Sequence, residues 1–273
     1  MAGTLHASVI IPTYGRPDSY AACVASLQRQ TEVAYELIPI RERAPLVWCR
    51  NEGLRRATAP VVCFIDDDVV CPPGWLAGVL DAFRAARVVG VSGPAIITPY
   101  FRYHRDLFRY RHLKRLHDWC FVDNPQQPGH LTCAGTYTTA AADEDCTYDG
   151  EVDYLEACNM SFRTAALKAV GGFDESFKGI GDWSEPDAGF RVRRATGGVL
   201  WFTPRAALFH QPALGGPTVH RWKDARNRME NYTLFASRWV RPHPRATAYR
   251  AFLAAYYTLN WMGGWLTSGR KAT

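Results

Sequence analysis

"VVCFIDDDVVCPPGWL", residues 61–76, decides the fold. Five apolar residues run unbroken to Ile65, and Asp66, Asp67 and Asp68 follow at once. A short apolar run bounded by polar turn residues is the pattern of a strand buried on both faces. The aspartates are then the polar outlet of that strand. Three adjacent carboxylates repel one another, so the cluster asks for a cation or a basic partner. Pro72, Pro73 and Gly74 turn the chain into the helical pattern "WLAGVLDAFRAA".

The same alternation extends outward in both directions. "ASVIIPTY" reads as a strand, and "RPDSYAACVASLQRQ" follows with Tyr20, Cys23, Val24 and Leu27 at helical spacing. "AYELIPI" is a second strand and "VWCRNEGLRRAT" a short helix; "RVVGVSGPAII" is a fourth strand. Strand and helix alternating at this interval predict a parallel sheet with right-handed crossovers, whose ligands bind beyond the carboxyl ends of the strands. Tyr14, Arg41, Glu42 and the three aspartates all fall there.

After Pro99 the pattern breaks. "YFRYHRDLFRYRHLKRLHDWC" is basic and aromatic, and residues 99–150 read as an insertion or mobile region. Order resumes with "VDYLEACNMSFRTAALKAVGGFD", a strand and then a helix. "EPDAGFRVRRATG" is a helix stopped by Gly197, and "GVLWFTPRAALFHQ" holds two short strands.

The 273 residues suit one large domain or a domain with an appendage. A net charge of +6 and a sequence pI of about 8.9 favour acidic ligands or an anionic membrane face, without the dense basic tail of a nucleic-acid binder. No nucleic-acid partner is expected. The eight cysteines include no C-x-x-C pair, so they read as reduced thiols of a cytosolic protein, and their spacing argues against a zinc site. The N-terminus lacks the charged and apolar regions of a signal peptide. Residues 251–269 carry no charge over about the length of a bilayer span. Asn260, two threonines and a Gly pair interrupt them, which favours a helix lying on the membrane or packed on the protein.

The ordered set "VIIPTYGRP", "CRNEGL", "CFIDDDVVCPPGWL", "EACNMSFRTAALKAVGGFDE", "SEPDAGFRVRRATG" and "LFHQ" resembles family 2 glycosyltransferases over roughly residues 7–98 and 151–211. The resemblance implies an α/β GT-A fold: a Rossmann-like, mostly parallel central sheet flanked by helices. Residues 1–216 would form that domain, and 217–273 a helical, membrane-associated C-terminal extension.

What the resemblance implies for the residues is specific. The aspartate triplet becomes a DxD element, with Asp66 facing the ribose or base, Asp67 beside it, and Asp68 on a Mn2+ or Mg2+ ion that bridges the donor diphosphate. Pro12, Thr13, Tyr14 and Arg16 would line the nucleoside pocket, Tyr14 stacking on a base and Arg16 pairing with phosphate. Arg50 and Asn51 match the family's Arg-Asn pair near the base. The family's aspartate after the second strand is missing from "LIPIRERAP", and Glu42 is the candidate substitute. His210 would complete the metal site.

Catalysis by inversion needs a carboxylate to take the acceptor's proton. Alignment places Glu185 there, with Ser184 in place of the preceding acid. Asp187 serves beside it as helix cap or outer-sphere ligand, and Asp182 is a rival base. Asn159, Met160 and Arg163 would border the sugar and acceptor, and Trp183 would stack on a sugar face. The basic run at 102–115 would meet a lipid carrier's phosphate or anionic lipid.

The implied activity is transfer of a hexosyl group from a UDP-, GDP- or dTDP-sugar to a hydroxyl of a glycan or lipid-linked acceptor, at the cytoplasmic membrane face. A nucleotidyltransferase acting on a sugar phosphate would also use carboxylate-bound metal, but "PTYGRP" is a poor phosphate loop. A non-catalytic sugar- or nucleotide-binding domain would not need the acid at 185.

Overall fold

The computed structural model describes residues 6–97, 111–122, 127–136, 146–211 and 224–268. A seven-stranded mixed sheet forms its centre, in the order β2-β1-β3-β8-β5-β9-β7. These strands are β1 (Ala7–Pro12), β2 (Tyr35–Ile40), β3 (Val61–Ile65), β5 (Val88–Ser92), β7 (Gly150–Val152), β8 (Asn159–Arg163) and β9 (Val199–Phe202). Three helices fill the early crossovers: α1 (Pro17–Leu27), α2 (Leu46–Arg56) and α3 (Trp75–Ala82). β1 pairs in parallel with both β2 and β3, as the alternation predicts.

Strand alternation divides the core into two layers. Ile10, Val62, Phe64, Met160 and Phe162 face one side; Val9, Ile11, Val61, Cys63 and Ile65 face the other. All five residues of β3 are buried, which matches its unbroken apolar run.

Two departures from the sequence reading shape the site. The first is β8, which enters between β3 and β5 and runs antiparallel to both. Ile65 lies opposite Asn159, so the residue that precedes β8 arrives beside the aspartates.

The second is the expected fourth strand over 87–97, which is two strands. Gly93 and Pro94 break it into β5 and β6 (Ala95–Ile97), and β6 leaves for a second sheet in the order β4-β10-β6. A Cβ on Gly93 would lie 2.4 Å from the carbonyl oxygen of Ala206, so the turn admits only glycine. In the small sheet β4 (Val69–Val70) pairs antiparallel with β10 (Leu208–His210), matching His210 to Val69.

The expected irregular region 99–150 lies partly outside the described residues. Within it α4 (Arg111–Phe121) is helical. The basic run at 102–115 falls mainly outside. Beyond β8 come α5 (Thr164–Ala169), α6 (Ser184–Thr196), α7 (Ala225–Trp239) and α8 (Pro244–Ser268). Tyr232 and Phe235 of α7 and Tyr249 and Leu253 of α8 share one apolar cluster with Val192, Leu200 and Phe202. The C-terminal helices are thus continuous with the core of the sheet. Among the described residues, no helix is long and apolar enough to cross a membrane.

Candidate active site

The carboxyl ends of β1 and β3, the turn into β4 and the end of β10 meet at one point. Asp68 is fixed there twice. The backbone of Gln211 donates to its carbonyl at 2.8 Å, and His210 Nε2 lies 3.1 Å from its Oδ1. The same nitrogen is 3.9 Å from Asp66 Oδ2. Arg16, the residue before α1, reaches across with Nη2 2.5 Å from Asp67 Oδ1 and Nη1 3.0 Å from Asp68 Oδ2. Arg16 and His210 are therefore the basic partners that the triplet asks for.

The carboxylates remain electrostatically loaded. Burial and the neighbouring Asp68 push Asp66 up, against His210, Arg50 and Arg16. Burial pushes Asp67 to about 6, against a hydrogen bond from Thr13 and the charge of Arg16. Burial alone would lower His210, but Cys158, Asp68 and Asp66 outweigh it and hold the imidazole well above its ordinary value.

The donor set fits a divalent cation. Asp66, Cys158 and His210 each present a ligand atom within 4.8 Å of the others, and Asp68 adjoins His210. Carboxylate and imidazole together suit Mn2+ better than Mg2+. Cys158 was not expected there. Its signal was the β8 register: pairing Ile65 with Asn159 sets Cys158 opposite Asp66, a placement that an all-parallel reading cannot produce.

The second half of the site is on α6. Glu185 lies in its first turn, buried, with Oε1 2.5 Å from Arg50 Nη1. Arg50 is only 2% exposed, and its guanidinium lies over the Phe173 ring at 5.6 Å. Burial raises Glu185, and the charge and hydrogen bond of Arg50 oppose the rise. Arg50 was expected beside the nucleobase. In the structure its guanidinium pairs with Glu185.

Other expected residues separate into two groups. Thr13 and Tyr14 do border the aspartates' end of the sheet. Tyr14 is 58% exposed with Arg43 over its ring at 5.8 Å, an open face for a planar ring, and Pro12 ends β1 just before it. Glu42 is exposed at the same edge and pairs with Arg56 at 3.2 Å.

The remaining expected residues are consumed by the framework. Asp187, two positions from Glu185, lies on the opposite face of α6. Its buried carboxylate accepts from Arg191 at 2.7 Å, Arg238 at 3.1 Å and Trp239 Nε1 at 2.8 Å. It ties α6 to α7 on the wall of a separate cavity of about 700 Å³. Asp182 pairs with Arg228 of α7 at 2.6 Å. Asn159 is wholly buried: its Oδ1 accepts from Trp75 Nε1 at 3.1 Å, and its Nδ2 donates to the carbonyls of Gly93 and Ala206.

Trp183 is buried as well. Its Nε1 donates to the Gly135 carbonyl at 3.2 Å, and its ring meets Tyr232 edge-on. It is 3% exposed, and it occupies a left-handed conformation (φ 67°) that a bulky residue adopts only when packing enforces it. That bend aims the first turn of α6. Met160 is in the core, Arg163 donates to carbonyls at the far end of β8, and Asn51 braces Phe173.

Residues 40–141 match the model for glycosyl transferase family 2. No curated protein sequence gives a significant match. Among solved structures, the mannosyltransferase PcManGT from Pyrobaculum calidifontis, in complex with GDP-Man and Mn2+, superposes with a TM-score of 0.55 at 14% identity, over 100% of this chain and 77% of that one. S. aureus TarS 1-349 gives 0.51 at 13% identity, over 93% and 71%. At these identities the likeness is one of fold. The sheet is thus GT-A-like, and the stretch that matches the model for glycosyl transferase family 2 includes the aspartate cluster at the end of β3.

Proposed function

We propose that the protein is an inverting, metal-dependent glycosyltransferase that moves a hexosyl group from a nucleoside-diphosphate sugar to a hydroxyl acceptor. The observation that carries this reading is the pairing of two centres. One is the cluster of Asp66, Asp68 and His210, and the other is Glu185, a buried carboxylate with a raised pKa. Perturbed acids gathered at the end of a sheet are what such chemistry requires.

Asp66, Asp68 and His210 would hold the ion. A bound divalent cation would supply Lewis-acid stabilisation of the diphosphate leaving group. Tyr14 offers its exposed ring to the base, and Arg16, already extended over Asp67 and Asp68, lies where a phosphate would meet it. The acceptor hydroxyl gives its proton to Glu185 while its oxygen bonds the anomeric carbon from the face opposite the diphosphate. The anomeric carbon–oxygen bond breaks on the other side, and the configuration inverts. Arg50 holds the Glu185 carboxylate in place and favours its ionised form against the effect of burial.

The neighbour solved with GDP-Man and Mn2+ supports a nucleotide-sugar donor, with GDP-, UDP- and dTDP-sugars the set to try. The acceptor is a glycan or a lipid-linked saccharide. We place the protein peripherally on the cytoplasmic face of a membrane, and α4 supplies the surface. Trp119 is 81% exposed, and Leu116 and Arg115 are exposed on the same helix. An apolar pair beside a cation suits an anionic interface.

The test is incubation with each nucleotide sugar and Mn2+, reading free nucleoside diphosphate and the anomeric configuration of the product by NMR. Transfer with inversion is expected. Retention of configuration, or release of pyrophosphate in place of a nucleoside diphosphate, would overturn the reading.

A further inference from the structure

The metal-holding cluster contains a thiol that hard-cation chemistry does not call for. Cys158 immediately precedes β8, 2% exposed, with its Sγ, a ring nitrogen of His210 and a carboxylate oxygen of Asp66 all within 4.8 Å of one another. His210 is itself only 6% exposed, and its Nδ1 is buried without a hydrogen-bond partner. A ligating histidine usually fixes its other ring nitrogen on a carboxylate or carbonyl; here Nε2 meets Asp68 Oδ1 at 3.1 Å, and Nδ1 has no such partner. Cys63 and Cys71 are equally buried, yet neither belongs to such a cluster. Burial pushes the Cys158 thiol up, while the His210 ring opposes the rise.

We propose that Cys158 is a direct ligand of this centre, so that the site takes a borderline transition-metal ion and discriminates against Mg2+. The inference rests on the metal-dependent reading above and deepens it. Thiolate is a soft ligand that selects ions such as Co2+ and Zn2+, whereas a site for Mg2+ is built from carboxylates, carbonyls and water. On binding, a sulfur–metal bond forms and the thiol proton leaves to solvent, because only the thiolate ligates. The position of Cys158 follows from the antiparallel register of β8 against β3, so the ligand is built into the sheet and not carried on a loop.

The probe is Co2+, titrated into the full chain with GDP or UDP present, and read by near-ultraviolet sulfur-to-cobalt charge-transfer absorption. A band saturating at one ion per chain is expected. It should vanish in Cys158→Ser and in Cys158→Ala, each of which keeps the other seven cysteines. Competition against Mn2+, followed by the paramagnetic resonance of free Mn2+, should show Zn2+ and Co2+ binding weakened roughly 10- to 100-fold in either variant, a loss on the scale seen when a supporting partner of a metal ligand is removed. Mn2+ binding should change far less.

Co2+ that binds the wild-type chain without the band, or a band that survives both substitutions, overturns this inference and leaves the metal-dependent reading standing. If neither Mn2+ nor Co2+ binds with nucleotide present, both readings fall. The decisive band is read on the wild-type chain, so a variant that misfolds does not remove the test.

Discussion

Replacing Arg50 with Met isolates the element on which the proposed general base depends. The guanidinium and Glu185 meet at 2.5 Å with almost no solvent around them. At about 4 Å between charge centres and an effective dielectric of about 20, their attraction is about 4 kcal/mol. Breaking a buried pair from one side costs about 3–5 kcal/mol, because the remaining charge stays uncompensated. The variant can limit that loss by keeping Glu185 protonated. Burial already raises this carboxyl, and Arg50 is the first force opposing the rise.

The base works only when ionised, so activity increases with pH through the folded-state pKa. Removing Arg50 moves that limb to higher pH, and turnover at neutral pH falls by roughly 10²–10⁴, the contribution of a lost general base. Stability follows the same logic. An acid whose folded pKa lies above its unfolded value stabilises the fold below the unfolded pKa, and that contribution is lost as pH rises through the folded pKa. Arg50→Met should therefore be least impaired in acid. The assays are a pH–rate profile of sugar transfer and urea unfolding at several pH values. An unmoved acidic limb together with a stability loss under about 1 kcal/mol, the range of exposed pairs, would refute the reasoning.

Three further outcomes follow from the same geometry. Glu185→Gln keeps the shape of the side chain and removes the proton acceptor. Turnover should drop about 10²–10⁴ while calorimetric affinity for the donor nucleotide barely moves, and near-normal turnover would return the role to Asp182. Asp187→Ala removes the carboxylate shared by Arg191, Arg238 and Trp239, and should cost about 3–5 kcal/mol in denaturant unfolding without moving the pH–rate profile. Substituting Leu116 and Trp119 together with Ser should lower sedimentation with anionic vesicles by at least about tenfold, the equivalent of about 1.4 kcal/mol, and leave transfer to a soluble acceptor intact.

Local pattern made β1 to β3 and the helices between them legible, because each is a short apolar or periodic segment with strong turn residues on either side. The family resemblance singles out the segments that hold the aspartates, His210 and Glu185, and the structure brings Asp66, Asp68 and His210 together. What could not be read was orientation across the sheet. β8 reads Asn-Met-Ser-Phe-Arg, a polar–apolar alternation that fixes its faces but carries no direction, so nothing local says that β8 runs backward. The long-range pair Arg50–Glu185, 135 positions apart, was hidden for the same reason.

Asn159, Trp183 and Asp187, expected in the site, make contacts that hold the chain beside it. Each is a polar-capable residue within two positions of one proposed to function, and each is bonded to the framework around it. Asn159 locks the start of β8 to the turns that lead into β6 and β10, which sets the distance between Cys158, Asp66 and His210. Trp183 bends the chain into α6, and Asp187 pins that helix to α7 from behind, so Glu185 emerges at a fixed angle toward Arg50. Buried polar groups that are fully bonded specify one arrangement over its near neighbours. In this chain those groups flank the reactive ones by one or two residues, which places the supporting contacts inside the same motifs that carry the chemistry.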